Sequence, residues 1–177
     1  MKKSEKGFVL MEVLVATSLA AIVLSISVMT VVYVLKNNQQ TSDHMAAVYY
    51  ADNTGYLVSN DVQMADSITT ENLTQPELLV MSWTEWGYDE DSVYHVVTYS
   101  IEDVSGEIGK LKRVHQDSNG SYEEIIIADC IYSNEADPDN TTQVNYQEPV
   151  LNMKITTVFG SATGVKEYEI YSRPNFR

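Results

Sequence analysis

Hydrophobic positions divide the chain into a continuous apolar run near its N-terminus and a longer part of mixed character. The run covers residues 8–35 and contains one charged side chain, Glu12. From Val13 to Leu35 no residue is charged. As a helix that stretch spans roughly 35 Å at about 1.5 Å per residue, against about 30 Å for the hydrocarbon core of a bilayer. The pattern therefore predicts a membrane-spanning helix.

A second helical pattern follows the apolar run. The polar stretch Lys36–Asp43 contains neither proline nor glycine, so we expect the helix to continue through it. Small and apolar side chains then recur at the spacing of a helix packed on a sheet: Ala47, Tyr50, Ala51, Thr54, Leu57, Val58, Val62, Ala65 and Ile68. Gly55 weakens this helix by about 1 kcal/mol relative to alanine, so residues 53–55 are a candidate position for a kink.

From Leu78 onward the pattern changes to period-two alternation and short apolar runs, which predict six strands. They cover residues 78–83, 93–101, 110–116, 122–131, 150–159 and 165–172. The strand from Val150 has one dry and one wet face, so we expect the helical stripe to cover the dry face. Loops 84–92 and 133–143 are longer and acidic. The predicted fold class is α+β, with a long N-terminal helix packed on an antiparallel sheet.

Charge is distributed unevenly along the chain. The formal net charge is −14, from 25 acidic and 11 basic residues. Residues 1–7 contain three lysines and no comparably dense basic cluster follows, so the positive-inside rule places the N-terminus in the cytoplasm. The rest is strongly acidic and is not expected to attract nucleic acid. A nucleic-acid role would need a local basic patch, for which Lys110, Lys112 and Arg113 are the candidates.

The N-terminal segment is not explained by the commonest kinds of apolar signal. A secretory signal peptide has an apolar stretch of about 7–15 residues before a cleavage site of small residues, and this run is much longer. A plain membrane anchor has no use for Glu12. A charge at bilayer depth costs about 2.5–3.5 kcal/mol on insertion scales and is retained mainly where it has a function.

Residues 6–14 read Lys-Gly-Phe-Val-Leu-Met-Glu-Val-Leu. This segment resembles the type III signal of type IV prepilins and pseudopilins. That signal is a short basic leader that ends in glycine and is followed by phenylalanine, with glutamate as the fifth residue after the glycine. In that family a membrane aspartyl peptidase cuts after the glycine and methylates the new amino terminus. The resemblance implies cleavage between Gly7 and Phe8, N-methylation of Phe8 and an assembly role for Glu12.

The resemblance also implies an organisation for the whole chain. Residues 1–7 are the prepilin leader, 8–35 the transmembrane and filament-core helix, and 36–177 a soluble head domain with a pilin-like fold. The implied partners are other pilins or pseudopilins, the prepilin peptidase and the inner-membrane assembly platform. The implied location is the bacterial inner membrane, crossed once with the head outside the cytoplasm, and then a pilus or pseudopilus.

Two features favour a minor subunit over a major one. Many major pilins have a helix-kinking proline near the middle of the apolar segment, and residues 8–35 contain none. Residues 56–68 are similar to the end of the long helix in J-type pseudopilins of type II secretion and in W-type minor pilins. The implied function is structural, in filament initiation or tip assembly. The alternatives are a major filament subunit and a membrane-anchored binding module of a DNA-uptake or adhesion system.

Few residues suggest catalysis or metal binding. A Gly-rich phosphate loop, a G-x-S-x-G elbow and an H-E-x-x-H motif are all missing from the sequence, so we expect neither an enzyme nor a cofactor. Asp137 and Asp139 alternate as in calcium loops, but the glycine and distal glutamate of an EF-hand are missing, and a solvated acidic loop is the competing interpretation. We expect His95 to be an interior side chain rather than a zinc ligand, and Cys130 to be a small buried one.

Overall fold

In a computed structural model of this chain, the described residues are 5–71, 73, 76–87, 92–134 and 136–173, with the backbone alone described for residues 5–9. The first four residues of the predicted leader, the acidic tip of loop 84–92 at residues 88–91, and Glu135 lie outside them. The chain divides into two compact units, Met1–Ser42 and Asp43–Arg177. We call the second the head unit.

The described residues form one helix and eight strands, and the fold is α+β as the sequence predicts. Helix α1 covers Glu5–Met64. The strands are β1 (Ser67–Thr69), β2 (Glu77–Trp86), β3 (Ser92–Ser105), β4 (Ile108–Asp117), β5 (Tyr122–Tyr132), β6 (Gln143–Gln147), β7 (Val150–Phe159) and β8 (Ala162–Tyr171).

Helix α1 continues through residues 36–43, as their lack of proline and glycine predicts. It ends at Met64, whereas the apolar spacing had extended it to Ile68. The backbone amide of Asp66 instead donates to the carbonyl oxygen of Ser82 at 2.8 Å, and Ile68 pairs with β2 as part of β1. Ile68, the last apolar position of the predicted stripe, therefore belongs to the sheet and not to the helix.

All strand pairs are antiparallel and form one curled sheet in the order β1-β2-β3-β4-β5-β7-β6, with β8 pairing β7. The six predicted strands are present, and β2 extends beyond its predicted end to Trp86. Strands β1 and β6 were missed. Both are short, of three and five residues, so neither shows enough alternation to be recognised.

The core of the head unit lies between the C-terminal part of α1 and one face of the sheet. The helical stripe is buried at six of its predicted positions: Ala47, Ala51, Thr54, Val58, Val62 and Ala65. Opposite them lie the largest fully buried sheet side chains, including Tyr99, Leu79 and Ile155. Gly55 does not interrupt the helix. A Cβ atom there would lie 2.1 Å from Cζ of Tyr168 in β8, so the glycine allows this ring to pack directly on the helix backbone.

Candidate functional site: the apolar N-terminal helix

The N-terminal part of α1 presents an apolar surface on all sides. Every side chain from Leu10 to Ser42 is exposed, and Leu10 and Met29 are 75% and 76% exposed. A helix that is apolar all round requires a membrane or neighbouring apolar helices rather than water. By length and composition, this helix can cross a membrane.

Hydroxyl side chains within the apolar part bond to the helix itself. Five of them donate to the carbonyl oxygen four residues earlier, at 2.8 or 2.9 Å: Thr17, Ser18, Ser25, Ser27 and Thr30. A hydroxyl whose donor is already used costs less free energy to bury in an apolar medium than one without a partner. These five residues therefore do not oppose burial of the helix in lipid or among other helices.

Glu12 is the exception in this surface. Its side chain is exposed, and among the described residues its carboxylate has neither a hydrogen-bond nor an ion-pair partner. The next charged residue along the chain is Lys36. Gly7 and Phe8, the predicted cleavage and methylation positions, lie on the helical backbone one turn before Glu12, and only their backbone is described. Burial of this helix would leave one carboxylate in need of a cation.

Comparison with protein-family models, curated proteins and solved structures gave no match. Function therefore has to be argued from the residues and geometry of the chain.

The head unit contains a buried ion pair that sequence reasoning missed. Asp61 of α1 is 4% exposed, and its Oδ2 accepts hydrogen bonds from Tyr99 Oη at 2.6 Å and Arg113 Nε at 2.8 Å, while Oδ1 accepts from Arg113 Nη2 at 3.0 Å. Burial and the adjacent carboxylate raise the pKa of Tyr99 far above its usual range, and the hydrogen bonds to Asp61 raise the pKa of Arg113. This group joins α1 to β3 and β4.

The other two bases of the candidate nucleic-acid patch also face carboxylates. Lys110 Nζ lies 2.8 Å from Asp103 Oδ2. Lys112 Nζ lies 3.3 Å from Glu102 Oε2 and 3.1 Å from Glu124 Oε1. Hydrogen bonds to these carboxylates raise the pKa values of both lysines. The three bases thus do not form a patch of unpaired positive charge.

The candidate calcium loop is organised by hydrogen bonds within the protein. The side-chain amide of Asn140 donates to both carboxylate oxygens of Asp137, at 3.1 and 2.9 Å, and the main-chain carbonyl of Asp139 accepts from Lys154. Within the described ranges, no group of three or more His, Cys, Asp or Glu side chains is arranged to hold a metal ion. Calcium binding at Asp137 and Asp139 remains a prediction without further support.

Two histidines that are distant in sequence meet on the face of the sheet that points towards α1, here called the inner face. Antiparallel pairing of β3 and β4 places His95 Nδ1 3.1 Å from His115 Nε2, and Trp83 stacks on both rings at 5.1 and 5.7 Å between centroids. Glu85 Oε2 lies 3.3 Å from the other ring nitrogen of His95. His95 is buried, as predicted, and a histidine partner occupies one of its two nitrogens.

Cys130 is 4% exposed, which confirms the prediction of a small buried side chain. Burial raises the pKa of its thiol to about 11. A thiol with so high a pKa has little nucleophilic thiolate at neutral pH, so Cys130 has a packing role.

Proposed function

We propose that this chain is a type IV pilin-like minor subunit, cleaved after Gly7 by a prepilin peptidase and built through its N-terminal helix into a pilus or a type II secretion pseudopilus. The observation that carries the proposal is an unpaired carboxylate, Glu12, in an otherwise apolar and fully exposed helix, at a fixed short distance from a leader-like glycine. The head unit, a helix packed on an antiparallel sheet, is compatible with the fold that this resemblance implies.

Cleavage after Gly7 would change the surroundings of Glu12. The new helix would begin at Phe8, so Glu12 would lie just after its first turn, where free backbone N–H groups and the positive end of the helix dipole favour a negative side chain. The same cut creates a positive amino group on Phe8, four residues or about 6 Å away along the axis. Processing thus generates the cation that the carboxylate lacks.

Within one subunit the amine and the carboxylate lie at different heights along the helix. A neighbouring subunit displaced along the filament axis can bring its own amine level with Glu12. Loss of one partner from such a pair in an apolar environment costs about 3–5 kcal/mol, because an unpaired charge remains. The pair would therefore set the axial register of subunits, and a subunit with this glutamate docks behind another rather than at the terminal tip.

The first test is processing of the natural chain. In cells with an active prepilin peptidase, mass spectrometry of the purified protein should find an N-terminal peptide that begins at Phe8 and carries one methyl group. Gly7→Leu should leave the leader in place. A natural chain that keeps Met1 under these conditions would exclude the prepilin interpretation and leave an uncleaved anchor.

The second test separates processing from assembly. Glu12→Ala should be cleaved normally but should be lost from sheared filaments, because the neighbouring amine has no counter-charge. Met11→Ala is the matched control, since it removes an exposed side chain beside Glu12 without changing the charge. Equal recovery of both variants and the natural chain in filaments would refute the assembly role.

A further inference from the structure

The face of strands β2 to β5 that points away from α1, here called the outer face, carries exposed aromatic side chains. Trp86, Tyr94 and Tyr122 are 74%, 49% and 58% exposed. Each alternates with a neighbour on the inner face; Tyr94, for example, precedes the buried His95. Large aromatic side chains that project from an ordered sheet indicate contact with a ligand or partner more often than scattered aliphatic ones do.

Strand register places these three side chains in one diagonal row. Tyr94 pairs with Thr84, so Trp86 lies one strand over and two residues further along. Tyr122 pairs with Gln116, which in turn pairs with Val96, two residues from Tyr94. With strands about 4.8 Å apart and about 3.4 Å per residue, the Cα separations are about 8 Å between Trp86 and Tyr94 and about 12 Å between Tyr94 and Tyr122. The row suits an elongated ligand.

A groove of about 350 Å³ lies along β3 beside this row. Short side chains of the sheet line it, among them Val96, Thr98 and Ser100, and Glu77 and Glu102 line it as well. Val96 follows Tyr94 by two residues on the same face, so the groove begins beside Tyr94, and we call the row and the groove together the track. The track offers stacking surfaces at one end and hydroxyl and carboxylate groups at the other.

The charges of the track disfavour anionic ligands and offer a strongly cationic ligand only one free carboxylate. The nearest base, Lys112, is held between Glu102 and Glu124 and cannot serve an incoming anion. Because Glu102 is already paired with Lys112, Glu77 is the groove carboxylate left to pair with a cation. A basic peptide, which carries several positive charges, would find too few counter-charges in this groove. Acceptor oxygens beside aromatic rings instead suit a ligand with many hydroxyl donors and polarised C–H groups.

We propose that the outer face binds a neutral, extended oligosaccharide. Its sugar rings would stack on Trp86 and Tyr94, and its hydroxyl groups would donate to Glu77 and bond with Thr98 along the groove. This inference rests on the head unit alone and does not depend on the proposed place of the chain in a filament.

Binding is tested with the full chain in a zwitterionic detergent without a sugar headgroup, titrated with chitohexaose or cellohexaose. We expect saturable binding in calorimetry with at least one of the two probes, together with a change in tryptophan fluorescence. Trp86→Ala should weaken binding about tenfold, the effect of losing one stacking contact, and Tyr94→Ala should also weaken it. Trp83→Phe is the matched control, because Trp83 lies on the inner face and the variant should bind and respond as the natural chain does.

Circular dichroism would first verify that each variant is folded. Absence of binding to both probes at millimolar concentration overturns the proposal. So does binding that Trp86→Ala and Tyr94→Ala leave unchanged, or that is lost in Trp83→Phe alone. Hexalysine is the competing probe, and tighter binding of hexalysine than of either sugar would identify the outer face as a site for basic peptides instead.

Discussion

Replacing Asp61 by alanine would remove the acceptor of three hydrogen bonds from the interior of the head unit. The side chains of Asp61 and Arg113 are 5% and 12% exposed, so bulk water has little access to the guanidinium after the carboxylate is lost. The variant would leave a buried guanidinium without its partner, which costs about 3–5 kcal/mol. We expect the free energy of unfolding to fall by this amount and the melting temperature to fall by roughly 10–20 °C.

A double-mutant cycle tests the reasoning more sharply than one variant. Arg113→Met should also destabilise the protein, because Asp61 then keeps only its hydrogen bond from Tyr99. The cycle therefore uses Asp61→Leu and Arg113→Met as its single variants. In Asp61→Leu/Arg113→Met both charges are gone, and similar replacements of buried ion pairs by apolar side chains are often neutral or stabilising. The double variant should therefore lose much less stability than the two single variants together.

The assay is urea unfolding of residues 43–177, the unit that contains every side chain of the cycle and of the described core. Lys110→Met is the matched control, because the Lys110–Asp103 pair is exposed and should contribute about 0–1 kcal/mol. The reasoning is refuted if Asp61→Ala costs no more than this control, or if the losses in the double variant are simply additive.

Two further predictions concern packing in the head unit. Gly55→Ala should destabilise the natural chain by about 1–2 kcal/mol, because the added Cβ meets the Tyr168 ring. In a Tyr168→Ala background the same substitution should stabilise the protein by up to about 1 kcal/mol, because alanine has the higher helix propensity. Urea unfolding that gives the same sign in both backgrounds would contradict this. Cys130 should react with a thiol reagent at pH 8 only after unfolding. Rapid labelling of the folded chain would contradict this, because it would show the thiol to be accessible. Since folding raises the pKa of the Cys130 thiol from 9.0 to about 11, the contribution of this group to stability should be complete below pH 9 and decline as the pH rises towards 11.

The main elements were predictable because each is long enough to repeat its pattern. The stripe from Ala47 to Ala65 repeats over several helical turns, and β7 alternates over ten residues. The short strand β6 offers only Val144 and Tyr146 as half-buried positions, and such a signal is indistinguishable from a loop. Ile68 continued the helical spacing, but pairing with β2 outweighed local preference.

Contacts between distant residues were not predictable in the same way. An acidic residue in a helix, such as Asp61, is normally predicted to lie on the surface. Its partner Arg113 is 52 positions away, so the sequence alone does not indicate the pair. His95 and His115 meet because of the register of β3 and β4, which depends on the turn between the strands and on their alternation of buried and exposed positions. The segment around Glu12 differs, because its information is local: charge, apolar surroundings and distance from Gly7 are all readable along the chain, while its counter-charge is not found among the described residues.

The packing of Tyr168 over Gly55 has a consequence for biosynthesis. The ring belongs to the last strand and its hydroxyl bonds to α1 across 117 positions, at 3.4 Å from the carbonyl oxygen of Ala51. At about 5–20 residues per second, a ribosome needs roughly 6–23 s to add the intervening residues. Throughout that interval the helical stripe lacks its final cover and is open to chaperones. A chain truncated before Ala162 would retain that exposure permanently, so a late stop codon should be as harmful as an early one.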